Sequence, residues 1–328
     1  MKKIVLYLLG ISIIIVVLLT SEINETLEAV GSVNTIALLV LCILQIITLL
    51  LITSQWKLIS KKLIRDLTFL SVLDVNMKGT LVETLTPALK TGGEVTKYYL
   101  MKSKWNISSF DSVTIIYIQK LISIFTFTGI TLLIFLWMIF GDLRYYELVS
   151  SSFELTMFVL LALLLIFSSI LLYPKKTFEI VRKIPLEMRG KQKLNSTIKE
   201  FNASVKKINL NSSDYIKLFI LATIIWTLFG IKGYLLAESM NMGLGFAIVF
   251  AITILSYLVG MLPITPGGLG TFEATMVLLL GTVGISVSTG IVFAIIFRFV
   301  TYWFVFIISL IYVSISKISS RLSMLLNH

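Results

Sequence analysis

Eight apolar runs divide the sequence, at about residues 4–20, 34–55, 112–140, 153–173, 216–237, 245–262, 272–284 and 289–316. Most approach the ~20 residues that cross a bilayer as a helix, and a chain that enters lipid repeatedly must satisfy its backbone polar groups inside each segment. Of 328 residues, 57% are hydrophobic and 14% charged, and mean hydropathy is +0.97. The expected fold class is therefore all-α, a polytopic membrane helix bundle forming one integral membrane domain over residues 1–328. Lys2 and Lys3 precede the first run as in a signal peptide, but no small-x-small cleavage site follows, so this run reads as a retained helix.

A net charge of +11 would suggest nucleic acid in a soluble chain. Here the bases gather between apolar runs, as the positive-inside rule requires, and no nucleic-acid partner is expected. Glu22, Glu25 and Glu28 follow the first run, whereas Lys57, Lys61, Lys62 and Arg65 follow the second. The stretch from Pro174 to Lys217 holds eleven Lys/Arg against four acids, and Lys317 and Arg321 follow the last run. A multi-pass cell-membrane protein with both termini cytoplasmic follows. Its two halves, about 1–173 and 216–328, would be joined by a basic cytoplasmic loop, 174–215, that also suits anionic lipid. Cys42 and His328 are the only residues of their kinds, which removes disulfides, histidine-based catalysis and ordinary zinc sites. With no Walker-type loop either, neither cofactor nor metal is expected.

Two segments break the apolar pattern. LPITPGGLGTFEA, from Leu262, places Pro263, Pro266, Gly267, Gly268 and Gly270 before Glu273, and such residues interrupt a helix. Earlier, TPALKTGGE runs from Thr86 through Pro87 and Gly93 to Glu94. Both read Thr-Pro, then Gly-Gly, then Glu seven positions after the proline, at an offset of 179 residues. Residues 66–104 are flanked by bases on both sides, as expected of a segment entering and leaving from the cytoplasm or lying in the interface. If 245–284 enters from the other side, two broken or re-entrant hairpins point at each other. That is the pattern of an inverted repeat whose broken helices meet at the midplane and face an anionic group.

Glu94 and Glu273 then sit at membrane depth, where a carboxylate must be protonated, paired or facing water. The simpler reading is that each caps the helix that follows. Arg298, in the middle of VFAIIFRFVTYWFVFIISL, offers five donors to a carboxylate or a phosphate, or else makes a structural ion pair. Lys120 lies nearer the end of its run and can snorkel.

LPITPGGLGTFEA, the P-x5-GE element of TPALKTGGEVTKYYL and the later FRFVTYW together resemble the lysylphosphatidylglycerol synthase transmembrane region, a flippase-like family, over about residues 5–316. Pro87, Gly93, Glu94, Pro266, Gly267, Gly268, Gly270, Glu273 and Arg298 match its pattern. Where the family often carries Glu-Arg followed by Asp, this sequence has Gln119, Lys120 and Ser123, and so lacks acids that ion coupling at that helix would use.

The resemblance implies movement of a lipid between leaflets. In better-known members the membrane region is joined to a soluble aminoacyl-transferase domain, and in other relatives to a glycosyltransferase acting on polyprenyl phosphates; neither domain is expected here. The expected function is translocation of an anionic lipid, phospholipid or polyprenyl-phosphate-linked. Headgroup candidates are Arg298, Glu273, Glu94, Gly93, Gly267, Gly268 and Gly270, with Pro87, Pro263 and Pro266 breaking the helices. The alternatives are a membrane-embedded lipid-modifying enzyme and a scaffold for a separate glycosyltransferase or aminoacyl-transferase, either of which is also a possible partner. Oligomeric state is left open.

Overall fold

The computed structural model describes residues 31, 33–86, 91–140, 161–162, 165–166, 188–262 and 265–326. The expected first span, nearly all of 153–173, and Pro87 and Pro263 lie outside the described residues.

The described residues form an all-α membrane helix bundle. In chain order the helices are α1 (Thr35–Ser60), α2 (Phe69–Leu85), α3 (Thr91–Lys104), α4 (Ser109–Phe140), α5 (Met188–Ile208), α6 (Ser212–Ser239), α7 (Phe246–Gly260), α8 (Thr271–Thr282), α9 (Val287–Arg298) and α10 (Phe304–Leu326). A 3-10 turn, Pro266–Gly268, precedes α8, and one π-helical turn, Phe299–Trp303, joins α9 to α10. Four long apolar elements have the length to cross a bilayer: α1, α4, α6, and α9 with α10 over Val287–Ile318. At 1.5 Å per residue the 26 residues of α1 reach about 39 Å, whereas the 12 of α8 reach only about 18 Å, short of a ~30 Å hydrocarbon core.

Local chemistry sets the helix ends. The Asn34 side chain accepts from the Ile36 amide at 2.8 Å to open α1, and Asn211 with Asp214 forms a capping box that opens α6. Asn106, Asn209 and Asn241 take left-handed backbone angles just beyond α3, α5 and α6, where an asparagine tolerates φ above zero.

Outward faces are apolar. Along α1, Ile36, Leu39, Val40, Ile43, Ile46, Ile47 and Leu50 point away from the bundle at helical spacing, while Gln45, Thr48 and Gln55 are buried. Lipid, rather than water, suits that surface. Inside, Phe272, Phe293 and Phe297 stack, with Tyr257 edge-on to Phe272 and Phe297.

Ion pairs gather one set of helix ends. Lys62, past α1, pairs with Asp214 at the start of α6, and Lys207 at the end of α5 pairs with Asp111 at the start of α4 at 2.6 Å. Asp74 near the start of α2 pairs with Lys104 at the end of α3, and Ser316 of α10 bonds the same carboxylate at 3.4 Å. So α2 and α3 form a hairpin that enters and leaves at this basic end, as the flanking bases of 66–104 predict. The hairpin of α7 and α8 opens at the opposite end, between the last residues of α6 and the first of α9. The loop 174–215 contains a 21-residue helix, α5, which packs through Phe201 on Tyr117 and through Ser204 on Asp111 of α4. Its charge content hides it from a search for apolar runs.

Candidate functional site

The second break begins at the Pro266–Gly268 turn. Gly267, Gly268 and Gly270 have φ of +62°, +72° and +83°, angles that a residue with a Cβ adopts only under strain. Gly268 also has no room for a side chain, since a Cβ there would lie 2.6 Å from the Gly260 carbonyl oxygen. The break is thus folded back onto the end of α7.

Glu273 stands in the first turn of α8. Its Oε2 accepts from the Gly270 amide at 2.7 Å and its Oε1 from Arg298 Nε at 2.9 Å. The capping reading and the ion-pair reading are both realised, on separate oxygens of one carboxylate. Arg298 also donates through an Nη2 hydrogen to the Gly267 carbonyl, and its guanidinium lies 4.8 Å from the ring centres of both Phe272 and Tyr302. Both charged groups are buried, 8% exposed for Glu273 and 7% for Arg298, so each depends on the other.

Tyr302 connects this break to the first. It lies near the middle of the 32-residue span of α9 and α10, and its hydroxyl donates to the Thr84 carbonyl at 2.8 Å, in the last turn of α2. Its ring also fills the space over Gly267, where a Cβ would be 3.0 Å from it. The two breaks therefore meet at one aromatic side chain inside the bundle, where inverted hairpins would place them.

At the first break, Gly93 brings α3 against α2, for a Cβ there would sit 2.8 Å from the Gly79 carbonyl oxygen and 2.6 Å from the Glu83 Cβ. Glu94 does not reach Arg298. Its Oε1 pairs with Lys120 of α4 at 2.9 Å and with Lys97 at 3.5 Å, while Lys97 also lies 3.8 Å from Glu83 and 4.7 Å from the Trp56 ring centre. Of the two glutamates only Glu273 pairs with Arg298, because α3 turns Glu94 toward α4. Lys120 is a partner of Glu94 rather than a snorkelling side chain. The Glu94 Oε2 is buried with no hydrogen-bond partner among the described residues.

Gln119, which stands where the family often has an acid, donates to Gln55 Oε1 at 3.2 Å, and Gln55 donates to the Leu218 carbonyl at 3.4 Å. A neutral amide pair here links α1, α4 and α6 without any charge.

Tyr302 and Lys232 are absent from the candidates the sequence suggests. Tyr302 is signalled by its place in FRFVTYW, four residues after Arg298.

The arrangement is a meeting point of two broken helices, with Lys120 half-exposed at 36% of its side chain and Arg298 held by one carboxylate and one carbonyl. Its charged groups are balanced in pairs, so an entering anion would exchange with a carboxylate rather than meet a bare cation.

A family profile described as the lysylphosphatidylglycerol synthase TM region matches residues 7–309. A UPF0104 membrane protein of Pyrococcus horikoshii is 21% identical over 314 residues, spanning 92% of this chain and 94% of the relative. Another, from Methanothermobacter thermautotrophicus, is 22% identical over 324 residues, with 93% and 92% covered. A third, from Methanocaldococcus jannaschii, is 21% identical over 305 residues, with 92% and 91% covered. The chain belongs to the lysylphosphatidylglycerol synthase transmembrane-region family, multi-pass membrane proteins linked to lipid handling.

Proposed function

We propose that this protein moves an anionic lipid, a phospholipid or a polyprenyl-phosphate-linked one, between the leaflets, its headgroup passing where the two hairpin tips meet. The observation that carries the reading is the Tyr302 bridge between breaks that open to opposite ends of the bundle. A headgroup at that level is about half a membrane from either surface, so a site reached alternately from each end suffices for transport. In this reading α1, the α2–α3 hairpin and α4 form a unit of span, hairpin and span, which α6, the α7–α8 hairpin and α9–α10 repeat inverted. The basic end, where Lys62, Lys104 and Lys207 lie, faces the cytoplasm.

Its chemistry suits a phosphate. Lys120, Lys97 and Arg298 supply donors, and Glu94 and Glu273 neutralise the cations when no lipid is bound. Acyl or prenyl chains stay outside, against the apolar faces of α1 and α4. A glycosyltransferase or aminoacyl-transferase on a separate chain would supply or use the moved lipid.

The reading is tested with purified protein in liposomes containing fluorescent phosphatidylglycerol, using dithionite to quench the outer leaflet. Protein-dependent loss of the protected inner-leaflet signal is expected. Fluorescence decay identical to that of protein-free liposomes contradicts it.

A further inference from the structure

Among the described residues three basic side chains are buried: Lys97 at 5%, Arg298 at 7% and Lys232 at 0% exposed. Lys97 and Arg298 each have a carboxylate within 4 Å. Lys232, in the second half of α6, has none among the described residues. Its Nζ donates to Gln45 Oε1 and to Thr48 Oγ1 at 3.3 Å, both on α1, and lies 4.0 Å from the Phe229 ring centre. Two oxygen acceptors and the negative face of a ring are what three ammonium hydrogens need. Among the described residues the ammonium is met by dipoles and a ring face, with no opposite charge beside it.

Lys232 lies at the depth of the hairpin tips. The residue after Thr48, Leu49, packs with Met77 of α2 and Val305 of α10, three residues beyond Tyr302. The residue after Lys232, Gly233, faces Thr253 of α7 and Phe297 of α9, immediately before Arg298. An ionisable group at this depth with only neutral partners is costly, and a local counter-charge would be the simplest remedy. A proton held on Lys232 therefore gives the tip region, where the other described charges are paired, a positive potential that acts through a weakly screening interior.

We propose that this unneutralised lysine makes the tip region select anionic over zwitterionic lipid headgroups, acting through its field and not by contact. The inference rests on the transport reading. Fluorescent phosphatidylglycerol and fluorescent phosphatidylcholine are compared in the dithionite assay with wild type, Lys232→Met, Lys232→Arg and Gln45→Glu. The last variant keeps the lysine and supplies the missing carboxylate in place, so it decides the matter if Lys232→Met does not fold. The ratio of phosphatidylglycerol to phosphatidylcholine rates should fall about tenfold in Lys232→Met and Gln45→Glu, the order of effect of one charge removed from a weakly screening interior, and hold in Lys232→Arg. An unchanged ratio in Gln45→Glu, or equal loss of both rates in Lys232→Met, overturns the selectivity role and leaves the transport reading intact. Wild type that moves neither lipid fails both.

Discussion

The Tyr302 hydroxyl donates to the backbone carbonyl of Thr84 across 2.8 Å, joining the π turn after Arg298 to the last turn of α2. Through this bond the two helix breaks, separated by more than half the sequence, share one side chain. A π turn places an extra residue per turn and is common where function needs a displaced side chain.

Tyr302→Phe keeps the ring over Arg298 and Gly267 and removes only the bond to Thr84. A buried hydrogen bond of this kind contributes about 1 kcal/mol, so a drop of a few degrees in the detergent melting temperature is expected, with a larger relative effect on lipid movement. Unchanged melting and unchanged transport would mean that the bridge does not hold the tips together.

Glycine at 268 serves both its backbone angle and its contact. Gly268→Ala puts a methyl 2.6 Å from the Gly260 carbonyl oxygen at φ +72°, which should cost more than about 2 kcal/mol and reduce the yield of monodisperse protein. Gly281→Ala, with nothing within 4 Å of its added methyl, is the control and should melt like wild type. Equal melting of the two alanine variants would show that the break tolerates side chains.

Glu273 and Arg298 should behave as a unit in unfolding. Either Glu273→Leu or Arg298→Met leaves one buried charge unpaired and should cost about 3–5 kcal/mol, whereas the double variant should recover much of the loss. A double variant that melts at the sum of the two single losses would show that the groups are not coupled.

Helix α5 presents Lys199 and Lys206 outward, whereas Lys207 is held by Asp111. Replacing Lys199 and Lys206 by Gln should weaken association of the protein, held in zwitterionic-lipid nanodiscs, with phosphatidylglycerol vesicles at low salt, at about 1 kcal/mol per charge, without altering the fold. Binding that stays the same at low salt leaves these bases with a topological role alone.

The long spans were legible because α1, α4, α6 and α9–α10 are apolar over more than a bilayer's thickness. The hairpins were legible from the opposite signal, since glycines, a proline and charges interrupt α7–α8 and flank α2–α3. Helix α5 was not, because its polar composition resembles a loop and its helicity is fixed by Phe201 and Ser204 docking on α4. The partner of Glu94 was hidden too. Spacing along the chain shows that Glu94 and Glu273 are equivalent in sequence, but the turn of α3 that gives Glu94 to Lys120 is a tertiary fact. Lys232 did leave a trace, a lone base in an apolar run, yet only packing shows that its neighbours are amides and hydroxyls.

The central claim is that a phosphate crosses at the tips with help from Arg298. In the dithionite assay with fluorescent phosphatidylglycerol, at matched incorporation of folded protein, movement should decline from wild type to Arg298→Lys to Arg298→Gln. Lysine keeps the charge but loses the planar fork that bonds Glu273 and Gly267 together, and glutamine loses both. Wild-type rates in Arg298→Gln would contradict the account and leave Arg298 a structural partner of Glu273.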